Sequence, residues 1–173
     1  MTTLVGTEHR VDVGAWLRYG IPAGVAAGIA FAMFEMIMAA LLNGAGAFFA
    51  PLRMIGGIGL GRTAIDPATS LLTAGGVGLV IHMLMSMSYG IVAAAVLSLV
   101  PELSASRTTI LLTTSVAGLL LWLVNFYVLA PAFGWSWFPD KANPAVQFIA
   151  HTFFFGTVLG YLLDRTYFSR LRE

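Results

Sequence analysis

Four long apolar runs leave this chain few alternatives. They extend from Tyr19 to Leu42, Gly75 to Val100, Ile110 to Ala130 and Ala145 to Leu163. Their only formal charge is Glu35, and their only histidines are His82 and His151. A helix needs about 20 predominantly apolar residues to cross the hydrocarbon core of a bilayer. Packing these runs into a water-soluble core would require a polar coat. Only 10% of the 173 residues are charged, against about 25% in soluble domains. Mean hydropathy is +0.87. The expectation is an all-α, polytopic membrane protein: a single domain, residues 1–173, with four transmembrane helices in one bundle. The spans fall at about 19–42, 75–100, 110–130 and 145–163, joined outside by loops 43–74 and 131–144.

The flanking cations set the orientation. Arg10, Arg18, Arg107, Arg165, Arg170 and Arg172 fall on one side, and Arg53, Arg62 and Lys141 on the other. This excess predicts both termini in the cytoplasm. The first apolar run is too long for the h-region of a secretory signal, so the N-terminus is expected to be retained. A net charge of +1 supplies no basic patch for nucleic acid. Without cysteine there is no disulfide, thiolate metal site or cysteine nucleophile. No phosphate loop with its lysine, nucleophile elbow or paired-histidine zinc helix is present. There is no visible internal repeat. The segment FFAPLRMIGGIGLG is too apolar for a solvated loop and too short and glycine-broken to span. It reads as an interfacial segment or, with PAFGWSWFPDKANP, as a lid over an outward-facing cavity.

Small residues mark the packing faces. Gly20, Gly24, Gly28 and Ala32 recur every four residues in the first run, and His82, Ser86, Gly90 and Ala94 in the second. Such stripes let helix backbones approach closely in lipid. Thr114, Gly118 and Asn125 share a face of the third. In the fourth, Gln147 and His151 face together, while Gly156 and Gly160 fall roughly opposite at about 100° per residue. That glycine face predicts contact with a second copy, a partner subunit or lipid.

Each span carries a polar side chain at one level of the outer half. Glu35 and His82 lie about 10 Å below their outer helix ends, and Asn125 and His151 about 8–9 Å. Ionisable groups at that depth are costly and mark functional sites by default. The bland alternative is polar glue that fixes helix register, contributing about 0.6–2 kcal/mol per bond. Three sharper readings stand beside it. Glu35, His82 and His151 form a carboxylate–histidine metal set, with Met38 and Met85 as thioether ligands if the metal is copper. His82 and His151 could instead be the axial ligands of a haem. Glu35, His82, Ser86 and Tyr89 could relay protons, although few polar residues continue the path inward. Met83, Met85 and Met87 alternate, so a helix spreads them around its circumference.

The stretches HMLMSMSYGIVAA, GLLLWLVNFYVLAPAFG, QFIAHTFFFG and PLRMIGGIGLG resemble the YagU-like family of small bacterial inner-membrane proteins, over roughly Arg53 to Arg165. The resemblance implies that location, with His82 and His151 as landmark positions. It implies no particular activity. Asn125 stands where part of the family is expected to have histidine, and Gln147 where glutamate is expected. Both departures weaken a metal site. The function expected is a non-enzymatic accessory or assembly subunit of a bacterial membrane complex, respiratory among the options. Its expected partners are the lipid bilayer and other membrane subunits or a second copy. The alternatives are a metal- or haem-binding redox module and a proton or ion conductor.

Overall fold

A computed structural model describes residues 12–172. Four helices are long and apolar enough to cross a membrane: α1 (Val13–Asn43), α3 (Leu71–Leu99), α4 (Arg107–Ala132) and α6 (Pro144–Leu171). A short helix occupies each outer connection, α2 (Ala50–Leu60) and α5 (Trp137–Lys141). The described residues contain no strand. The chain therefore runs twice through the same sequence of span, short outer helix and span.

The spans begin where their caps allow. Asp12 accepts a hydrogen bond from the Ala15 N–H at 2.9 Å, and Ser106 from the Thr109 N–H at 3.1 Å. Asn143 accepts from the Ala145 and Val146 N–H groups, with Pro144 at the first helical position. Each cap satisfies an amide that the helix leaves without a partner. All four spans outrun their apolar stretches, α1 starting at Val13 and α4 at Arg107. α3 starts at Leu71, and α6 continues to Leu171. Charged residues end that last extension: Asp164 is buried against Arg172 and lies 3.8 Å from Arg107 at the inner end. Among the described residues Arg18, Arg107, Arg165, Arg170 and Arg172 lie towards one end of the bundle, that of Val13, Leu99 and Leu171, while Arg10 lies outside the described residues.

The two small-residue stripes mate. Gly24 lies against the Ser86 carbonyl and the Gly90 Cα, and Gly20 against the Gly90 backbone. α1 and α3 thus touch backbone to backbone. A second seam joins α4 and α6. Gly118 sits on the His151 carbonyl and the Gly156 Cα, and Gly160 packs on Thr114 and the Ile110 carbonyl. This corrects the expectation of a spare glycine face on the fourth span. His151 and Gly156 would lie about 140° apart on an α-helix. Residues Ala150–Thr157 instead form a π-helical stretch. Its i→i+5 bonding brings position 156 beneath position 151. Both then face α4.

The outer connections are structured and joined. α2 crosses α3 where Gly56 meets the Ala74 carbonyl and Gly78 meets Leu52. Trp137 of α5 packs on Gly57, and its Nε1–H donates to the Met54 carbonyl at 3.0 Å. Arg62 donates to the Ser136 hydroxyl at 2.6 Å. The Arg53 guanidinium donates to the carbonyls of Ala64, Asp66 and Thr69, holding the turn that leads into α3. Trp137→Phe should cost about 1 kcal/mol, the usual net value of one hydrogen bond. It should also speed amide hydrogen exchange across α2. Unchanged exchange there would mean that α5 does not hold α2 down.

Candidate functional site

A cavity of about 270 Å³ opens in the outer half, between the α1/α3 pair and the α4/α6 pair. Pro51, Met54, Ile55 and Ile58 of α2 cover it from one side. Phe133, Trp135 and Phe138 of the second connection cover it from the other. Of the two readings of FFAPLRMIGGIGLG, the covering segment matches this geometry. Composition shows only that the segment is apolar, not where it lies.

The spans furnish the polar wall. Glu35, His82, Ser86, Tyr89, Asn125, Gln147 and His151 all line this one cavity. Both Glu35 oxygens accept from Gln147 Nε2, each at 2.8 Å. His82 Nε2–H donates to the Gly28 carbonyl at 2.9 Å, a contact made possible by the close α1–α3 seam. His151 Nδ1–H donates to the Gln147 carbonyl at 3.0 Å. Asn125 donates to the Tyr89 hydroxyl at 3.3 Å. Asn125 opens a π-helical turn, Asn125–Leu129, and His151 lies in another. Such turns are rare and recur at functional sites, where they re-aim a side chain. Periodicity in the sequence cannot reveal them.

The polar groups sit in two tiers rather than at one level. His82 reaches the carbonyl of Gly28, two turns below Glu35 on α1. The reason is the early start of α3, which places His82 eleven residues below Leu71 instead of seven below Gly75. Glu35 and Gln147 form the outer tier, and the two histidines the inner one. Phe31 joins the two histidines of the inner tier, stacking on His82 at 5.3 Å between ring centroids and meeting His151 edge-on at 4.7 Å. Phe31 carried no mark in the sequence, because a phenylalanine in an apolar run signals only burial.

This arrangement does not bring Glu35, His82 and His151 together as a ligand set. Among the described residues no group of three or more His, Cys, Asp or Glu side chains could hold a metal ion. Glu35 is bonded to Gln147, while each histidine bonds a backbone carbonyl through one ring nitrogen and keeps the other. Two axial histidines need a haem's thickness between them, and here Phe31 fills the space against both rings. Of the methionines in the polar stretch of α3, Met85 lines the cavity, and Met83 and Met87 do not.

Below the site lies a second cavity, of about 290 Å³, in the inner half. Tyr89, Leu121 and Phe155 border both. Apart from Tyr89, Thr113 and Thr114, its lining is apolar, and Thr114 already donates to the Ile110 carbonyl of its own helix. No family model, curated protein or solved structure matches the chain.

Proposed function

We propose that the chain is a non-enzymatic, multi-pass membrane protein that binds a small ligand from the outer side, in the cavity beneath α2 and α5. One observation carries this: every polar side chain of the outer-half constellation borders a single cavity rather than a packed seam. Beside the bonds among its own members, this set surrounds space. The excess of arginines on the inner side supports termini in the cytoplasm. The resemblance of the His82 and His151 stretches to the YagU-like family supports the bacterial inner membrane.

An accessory or assembly role in a larger membrane complex is compatible with ligand binding. One of its sequence supports, the glycine face of the fourth span, is used inside the bundle; the low charge remains. Conduction of protons or ions calls for a polar route into the inner half. The lining of the second cavity favours a closed-ended site instead.

The test exploits the absence of cysteine. A single cysteine in place of Met85, which borders the cavity, should react readily with neutral methyl methanethiosulfonate. One in place of Val116, 54% exposed on the lipid-facing side of α4, should be nearly inert, because a thiol in hydrocarbon does not form the reactive thiolate. Equal inertness at both positions would mean that no accessible cavity exists.

A further inference from the structure

We infer that the cavity takes a small organic monocation: an amine or quaternary ammonium carrying an apolar body. This rests on the cavity being a ligand site, as proposed above. Glu35 is the one Asp or Glu in the lining, and no Lys or Arg borders it. A carboxylate offers about four acceptor positions. Glu35 receives hydrogen bonds from a single nitrogen, that of Gln147. With each imidazole neutral, the bonds to Gly28 and Gln147 leave His82 Nδ1 and His151 Nε2 as further acceptors.

The donors are all uncharged, with no Lys or Arg among the lining side chains. The amide nitrogens of Gln147 and Asn125 bond Glu35 and Tyr89, and each keeps a second N–H. The hydroxyls of Ser86 and Tyr89 and the indole N–H of Trp135 remain among the lining side chains. An anion would meet the Glu35 carboxylate with no opposing cation in the wall. A neutral ligand would leave the Glu35 carboxylate without a counter-charge. A cation finds a carboxylate and the rings of Phe31, Phe126, Phe133, Trp135, Phe138 and Phe155. Aromatic faces attract cations through their quadrupoles, most strongly where water is excluded. The volume of about 270 Å³ falls just under the range of about 300–1,000 Å³ typical of sites for drug-sized ligands. One carboxylate and a small, ring-lined space match one positive charge on a compact apolar body.

Methanethiosulfonate reagents of opposite charge read this directly. With Met85→Cys in nanodiscs, each rate is normalised to that reagent's rate with a free thiol. The trimethylammonium-ethyl reagent should then react about tenfold or more faster than the sulfonatoethyl one, the lower end of electrostatic focusing in a cleft. Glu35→Gln should bring the ratio towards unity, and Glu35→Asp should retain it. Benzyltrimethylammonium should protect the thiol from the neutral reagent, and its uncharged carbon analogue neopentylbenzene should protect far less. That comparison needs no change at Glu35, so it holds even where Glu35→Gln fails to fold. Equal rates for the two charged reagents, or equal protection by the two benzyl compounds, would overturn the cation assignment and leave a ligand cavity standing. A thiol unreactive to all three reagents would overturn the cavity and the cation together.

Discussion

Gly90→Ala is expected to unseat the first two spans, while Gly76→Ala, earlier on the same helix, is expected to be silent or mildly stabilising. A Cβ at Gly90 would lie against the Gly20 carbonyl and only 2.8 Å from the Gly24 Cα. Those are backbone atoms and cannot swing aside. Overpacking of a tight contact costs about 1–3 kcal/mol, and here one helix must move bodily to relieve it. A Cβ at Gly76 meets nothing within 4 Å. Alanine should there improve helix propensity by up to about 1 kcal/mol. The check is thermal unfolding of both variants in one detergent. A Gly90→Ala protein that melts with the parent would show that the α1–α3 seam is looser than described.

The second large effect concerns the outer tier of the site. Gln147→Leu removes the one side chain that donates to Glu35 among the described residues. A buried acceptor left without its donor costs about 1–3 kcal/mol, and more when it is charged. The double variant Glu35→Leu with Gln147→Leu removes both partners, a change that can be nearly neutral when shape is kept. The expected pattern is a marked loss of stability for Gln147→Leu and recovery in the double variant. If the double variant is no more stable than Gln147→Leu, the glutamine matters for its packing and not for its bond to Glu35.

The fold was legible wherever a helix period marked it. The stripes through Gly24 and through Ser86 were visible because a helix repeats its faces every 3.6 residues, and they mate in the structure. The polar members of the site could also be picked out, since a glutamate or histidine in an apolar run is conspicuous. What escaped the sequence depends on neighbours. The π-helical stretch at Ala150–Thr157 turns Gly156 towards α4, and nothing local encodes that turn. The docking of α2 depends on Gly56, Gly78 and Trp137 meeting from three separate segments. The aromatic lining was equally hidden, because Phe31 and Phe126 resemble any other core residue until the cavity beside them is seen.

The two backbone seams also divide the molecule mechanically. Within the α1/α3 pair, and again within the α4/α6 pair, main chain rests on main chain. Across the gap between the pairs, rings such as Phe31 and Phe155 make the contact at the level of the site. Each pair is therefore a stiff plank, and the compliant direction of the protein is the one that spreads the planks. An occupant of the cavity would be accommodated by rotating side chains and by a small rocking of one plank on the other, with both seams intact. The bridge between α2 and α5 spans the outer edge of that joint, where Trp137 grips Met54. It ties the two planks together along that edge.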